Sequence, residues 1–189
     1  MLDKLSLMIY CMPLHIVLIL AAELLFVWRL LCGAYADAGA GPRRRWMAFR
    51  CVLLAAWLAA LLYIVVFSRS SGEVQVHLEA FHQLKVYFAG GDRELLRTLG
   101  MNVVLFVPGG LLLASVLPGR WRWWARLLLT VAVLLVLSVS IEAVQYWYAL
   151  GLVETDDVLC NTLGALTGSG LQEWVHASAG RKLPKKQRV

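Results

Sequence analysis

The stretch WWARLLLTVAVLLVLSVSIEAVQYWY, residues 123–148, decides the fold. No charge falls between Arg126 and Glu142, and the residues between them are Leu, Val, Ala and Ile with three hydroxyls, Thr130, Ser138 and Ser140. An α-helix needs roughly 20 such residues to cross a hydrocarbon core. A spanning β-strand would alternate in and out and would not give so continuous a run. Aromatic residues bracket the stretch, Trp123 and Trp124 at its start and Tyr146, Trp147 and Tyr148 at its end, as at the two faces of a bilayer. Near that second face stand Glu142 and Gln145, three residues apart and so on one side of the helix. A charge placed inside a bilayer costs about 3 kcal/mol or more, so Glu142 needs a reason to be there.

Working outward, four more runs have the same character, over about 5–31, 46–67, 100–117 and 157–176. The 189 residues are 60% hydrophobic and 16% charged, with mean hydropathy +0.70. A soluble domain of this length has too little interior for that load. The reading is an all-α, polytopic transmembrane helix bundle of about five spans, forming a single integral membrane domain over 1–189. The first run carries Glu23 and Arg29, and no A-x-A-like site follows it, so it reads as a retained helix rather than a signal peptide. The stretch from Val74 to Phe88 is too short to span. Val74, Leu78, Phe81, Leu84 and Phe88 recur near helical spacing, with Gln75, Glu79, His82 and Lys85 between them. This predicts an outer interfacial or re-entrant helix, broken by Gly90-Gly91-Asp92. Cys11, Cys32, Cys51 and Cys160 form no CxxC or zinc pattern and read as small buried hydrophobes. No metal and no cofactor is called for.

Charge orients the chain. Arg43, Arg44, Arg45 and Arg50 follow the first run, Arg120, Arg122 and Arg126 follow the third, and a basic tail over 177–189 carries Arg181, Lys182, Lys185, Lys186 and Arg188. The second connection is mixed, and the fourth holds only Glu154, Asp156 and Asp157. Basic loops stay in the cytoplasm. The expectation is therefore a multi-pass protein of the bacterial cytoplasmic (inner) membrane, N-terminus outside and C-terminus cytoplasmic. The net charge of +6 is then an orientation signal with some attraction to anionic lipid. Nucleic acid is excluded as a partner because the cations are split among membrane flanks and form no continuous face. Trp46, Trp121, Trp123, Trp124 and Trp174 fall beside the cytoplasmic boundary and read as an aromatic belt.

In this topology the costly polar residues gather in the outer leaflet. Asn102 opens the third span, Glu142 and Gln145 close the fourth, and Asp156, Asp157 and Asn161 open the fifth. Asp157 and Asn161 are four apart and share a face, which Gly164 and Gly168 continue as a small-xxx-small pattern that lets another helix come close. An acid at a helix start also gains from the dipole and the free N–H groups. Pro108-Gly109-Gly110 sits mid-span and predicts a kink. A carboxylate in a low dielectric must be protonated, paired or metal-bound; Arg97 and Arg69 are the outer cations available to pair.

These motifs, in this order and at these spacings, resemble the VanZ-like family of small bacterial membrane proteins. The family's Asn before a Phe-x-Pro-x-Gly turn is matched by Asn102 and by Phe106-Val-Pro108-Gly-Gly110. Its Ser-x-x-Glu-x-x-Gln helix is matched by Ser138 and Ser140 near Glu142-Ala-Val-Gln145, and its Asp-Asp-x-x-x-Asn-x-x-Gly element by Asp156-Asp157 through Asn161 to Gly164. The resemblance covers 98–172 as a VanZ-like core. Where many members carry an Arg shortly before the Asp pair, this chain has Gly151-Leu-Val-Glu154-Thr155, so a cation at the site would come from Arg97 or Arg69. The resemblance implies a cell-envelope protein linked to lowered susceptibility to lipoglycopeptide antibiotics such as teicoplanin.

The leading functional expectation is a non-enzymatic protein that binds a membrane lipid or cell-wall precursor head group through Asn102, Glu142, Gln145, Asp156, Asp157, Asn161 and Arg97. Two alternatives stay open. One is a metal-assisted hydrolase of a lipid phosphate or ester, using Glu142, Asp156 and Asp157. The other is an ion-coupled transporter with Glu142 as the titrating group, for which a homo-oligomer would have to supply the missing spans.

Overall fold

The computed structural model describes residue 28 and residues 40–67, 75–77, 79–90, 93–150 and 152–180. The predicted first span lies outside these except for Trp28, as do Arg69, Glu23, Arg29, Cys11, Cys32 and residues 181–189 of the basic tail. The described residues form a helical bundle with one short strand pair. Helix α1 (Ala40–Leu62) carries Pro42 in its first turn, where no intrahelical donor is lost, and runs on into a π-helical turn, Tyr63–Phe67. Strand β1 (Gln75–His77) and helix α2 (His82–Phe88) follow, then α3 (Arg93–Val116), α4 (Trp123–Trp147), β2 (Leu152–Glu154) and α5 (Thr155–Gly180). Among the described residues, three stretches are long and apolar enough to cross a membrane: Gly41–Val65, Leu95–Val116 and Trp123–Trp147. The protein is an all-α membrane bundle.

The segment expected to be one interfacial helix divides in two. β1 pairs in parallel with β2, Val76 opposite Val153 and His77 opposite Glu154, and only 82–88 remains helical. The reason is non-local. The chain after α4 brings an unpaired strand edge alongside, and Val76 and Val153 suit a pleated surface. That return depends on a tight stop. Ala149 takes a left-handed conformation (φ 52), Leu150 donates its N–H to the Gln145 carbonyl and Ala149 to that of Tyr146, the six-to-one and five-to-two bonds that close a helix C-terminus.

Helix α5 packs along α3 and, less extensively, α4, while α1 leans on α3. The α3–α5 contact is backbone against backbone. A Cβ on Gly164 would lie 2.2 Å from the Val103 carbonyl oxygen, and one on Gly168 would lie 2.0 Å from that of Val107. Only glycine allows this approach, and the small-xxx-small pattern is spent on α3. Beside it, the α1 indole of Trp57 donates to the Leu105 carbonyl at 3.0 Å, in the turn where Pro108 leaves the helix one N–H short. One apolar core joins Leu61, Phe106, Leu134, Ile141 and Ala165; a second joins Trp28, Trp46, Leu112 and Val175. Trp46, expected in the interfacial belt, is instead buried against Trp28. Trp121, Trp123, Trp124, Trp147 and Trp174 are exposed as a belt requires. Cys51 is exposed and Cys160 partly buried, and both are free thiols.

At the end of the bundle where α4 begins, a buried ion pair ties α4 to α5. Arg126 donates through Nε to Glu173 Oε1 at 2.9 Å and through Nη2 to Oε2, and its Nη1 reaches the Gly119 carbonyl. Nearby, Trp28 donates to Gln172 at 2.8 Å and Arg50 to the Ser115 carbonyl. This is the basic end. The opposite end holds the predicted polar residues.

Candidate functional site

The polar end is assembled by α3, α4 and the β2–α5 junction. Asn102 of α3 donates its Nδ2 to Asp157 Oδ1 of α5 at 2.6 Å. Asn161, one turn on, donates to Ser138 Oγ of α4 at 2.9 Å. Glu142, one turn beyond Ser138, accepts the backbone N–H of Glu154 at 3.3 Å. Gln145 donates to the Val65 carbonyl at 3.0 Å, one of the last carbonyls of the π-helical turn, which lack a partner of their own. Glu142, Gln145, Asp157 and Asn161 are all buried. The structure therefore gathers five of the expected residues, Asn102, Glu142, Gln145, Asp157 and Asn161, at one level of the bundle. Arg97 lies on α3 little more than one turn before Asn102 and is not a free cation.

Asp156 does different work. Its two carboxylate oxygens accept the backbone N–H groups of Phe81 and Gln83, the latter at 2.8 Å. These are the first donors of α2, whose own N-cap residue, Phe81, makes no side-chain cap. A carboxylate at that position satisfies orphan donors and meets the positive end of the helix dipole. Asp156 thus fastens α2 over the polar end instead of serving its own helix, and Gln83 adds a bond from its Nε2 to Glu154 Oε2. Glu154 and Gln83, both buried, were not singled out by the sequence. Gln83 lies in the stretch read as an interfacial helix but is not one of the residues that carry its periodicity, and Glu154 stood out only as an acid in a short loop. His77 and His82 are also brought together, their rings stacked at 4.6 Å; a five-residue spacing gave no hint of it because the strand pairing, not a helix face, aligns them. On the exposed flank, Lys85 holds the Glu79 carboxyl below the usual carboxylate range through a hydrogen bond and its charge.

Not every polar atom is paired. Gln145 Oε1 and Asn161 Oδ1 are buried acceptors with no hydrogen-bond partner among the described residues. Buried polar atoms are nearly always bonded, so each exception points to a group that completes it. Among the described residues no three His, Cys, Asp or Glu side chains converge as a metal would require, and Asp156, one of the acids a metal-assisted hydrolase would use, is engaged by α2 at both oxygens.

Fold and site together define a small helical membrane protein with a polar, acceptor-rich cluster buried at one end of its bundle. The family profile described as VanZ/LLP1 matches residues 51–176, from the second half of α1 to near the end of α5 and with every residue of the cluster, and the chain belongs to that family. It is similar to Protein VanZ of Enterococcus faecium, 30% identical over 125 residues that cover 61% of this chain and 68% of that protein. No solved structure matches.

Proposed function

We propose that the polar end is a binding site for the head group of a membrane lipid or cell-wall precursor, facing the outer leaflet, and that the protein acts by holding that group rather than by transforming it. The observation that carries this is the pair of buried, unpartnered acceptors, Gln145 Oε1 and Asn161 Oδ1, beside Glu142 and Asp157. A ligand that donates hydrogen bonds, as sugar hydroxyls and amides do, would complete them. Asn102 and Ser138 fix the two α5 side chains, and α2, held by Asp156, covers the site from the loop side. The outward orientation rests on the basic segments around Arg43–Arg45 and Arg120–Arg126 and in the tail, which favour the cytoplasm. Membership of the VanZ/LLP1 family supports a role in the envelope, and lowered susceptibility to lipoglycopeptides such as teicoplanin is the physiological effect that this reading expects.

The test is native mass spectrometry of the protein purified in mild detergent, wild type against Glu142→Ala/Asp157→Ala, with circular dichroism confirming that both are folded. A lipid or precursor carried by the wild type and absent from the variant supports the site and identifies the ligand. Identical spectra from two folded proteins would refute it and leave the cluster as inter-helix packing.

A further inference from the structure

The amides of the polar end share one arrangement: each turns its nitrogen onto the protein. Asn102 Nδ2 donates to Asp157, Gln145 Nε2 to the Val65 carbonyl, Gln83 Nε2 to Glu154 and Asn161 Nδ2 to Ser138 Oγ. A carboxylate or a carbonyl can only accept, so the partners of Asn102, Gln145 and Gln83 fix which end of each amide faces them. The oxygen end is left over. Gln83 Oε1, Gln145 Oε1 and Asn161 Oδ1 are buried with no partner among the described residues. The three residues are 4%, 0% and 6% exposed, so bulk water does not serve them.

These groups form one connected set. Gln83 reaches Glu154, whose backbone N–H reaches Glu142. On α4, Glu142 lies four residues after Ser138 and three before Gln145, so the three share a helix face. Ser138 in turn holds Asn161. The acids in the set all accept: Glu142 from the Glu154 N–H, Glu154 from Gln83 and Asp157 from Asn102. Among the described residues negative groups predominate here. Glu142, Glu154, Asp156 and Asp157 are all buried, and Arg97 is the cation that α3 carries nearest to Asn102.

Such a place calls for donors. A hydroxyl brings lone pairs and an amide brings a carbonyl, and both would face oxygens. A phosphate would set negative charge against carboxylates. A primary ammonium carries three N–H donors, no acceptor and a positive charge, and its bonds to carboxylates are of the strong, charge-assisted kind.

We propose that the polar end takes a primary ammonium group, carried by an amino head-group lipid or by the free amine of a cell-wall precursor. This rests on the binding-site reading above and names the chemistry of its ligand. The unspent oxygens of Gln83 on α2, Gln145 on α4 and Asn161 on α5 are its acceptors, and Glu142 with Asp157 supplies the opposite charge.

The test is native mass spectrometry of the folded, delipidated protein titrated with three lipids of the same acyl chains: phosphatidylethanolamine, its N-acetylated form and phosphatidylcholine. The first offers charge and N–H donors, the second an amide with no positive charge, the third a positive charge with no N–H. Nα-acetyl-lysine amide, a soluble primary amine, is tested by protection against thermal unfolding, with the Nα,Nε-diacetylated compound as control. The expected result is that phosphatidylethanolamine binds about tenfold or more tightly than the other two lipids, the factor that one hydrogen bond from a charged donor contributes. That preference should vanish in Gln83→Met and Gln145→Met, with circular dichroism checking folding; Gln83→Met decides alone where Gln145→Met does not fold. Protection by the lysine amide and not by its diacetylated form, with no lipid preferred, also supports the proposal and makes a precursor amine the source. Equal binding of the three lipids, or of none, without protection by the amine overturns it, as does a preference that survives in both folded glutamine variants. A lipid bound without regard to its amine, yet lost in Glu142→Ala/Asp157→Ala, would overturn the ammonium and leave the binding site standing.

Discussion

Replacing Gly164 with alanine tests whether close helix approach holds the site together. The new Cβ would stand 2.2 Å from the Val103 carbonyl oxygen and 3.0 Å from the Phe106 Cβ. Backbone cannot swing aside as a flexible side chain can, so α3 and α5 must part by about 1.2 Å to reach the ordinary contact distance of 3.4 Å. Val103 adjoins Asn102, whose bond to Asp157 is 2.6 Å long; the same displacement stretches it past 3.5 Å, the outer limit of a hydrogen bond. Overpacking costs about 1–3 kcal/mol, and a hydrogen bond to a charged group contributes about 1.5–3 kcal/mol. Alanine returns up to about 1 kcal/mol of helix propensity, leaving a net loss of about 3 kcal/mol. The control is Gly170→Ala on the same helix, where an added Cβ meets nothing within 4 Å and only the propensity gain of up to about 1 kcal/mol should remain. Equilibrium unfolding of the two variants in mixed detergent micelles would measure both. A Gly164→Ala protein as stable as Gly170→Ala would show that the α3–α5 contact is loose and that the Asn102–Asp157 bond does not depend on it.

Two further outcomes follow from the geometry. Arg126→Ala strands Glu173 in the bundle and should destabilise by about 3–5 kcal/mol, whereas Arg126→Met/Glu173→Met should recover most of that loss; equal instability of the single and double variants in the same unfolding assay would contradict an ion pair between them. Asp156→Ala removes the acceptor of two α2 donors and should cost about 1 kcal/mol locally, read as a several-fold faster hydrogen exchange at the Phe81 and Gln83 amides with the α4 and α5 amides unchanged; uniform acceleration would mean that Asp156 supports the whole bundle.

Much of the polar end was legible before the fold was known. In a membrane protein a buried acid or amide is expensive, so Glu142, Gln145, Asp157 and Asn161 stood out against an apolar background, and helical spacing put each pair on one face. Asn102 was read from its place at the start of the third span, before Pro108-Gly109-Gly110, and Gly164 and Gly168 from the helix face they share with Asp157 and Asn161. What the sequence misjudged involved groups whose partners are distant in the chain. Asp156 looked like a cap for its own helix and caps α2, 73 residues away at Gln83. Trp46 looked interfacial and is buried by Trp28.

Hydrophobic run length and the helical period by themselves determined that the chain is a membrane bundle, where its long helices run, and which residues share a helix face, because these depend on neighbours a few positions apart. Which faces meet was decided only in three dimensions. The pairing of β1 with β2 and the backbone contact of α3 with α5 join segments with long chain between them, and no local pattern records a register that is set only when two surfaces pack.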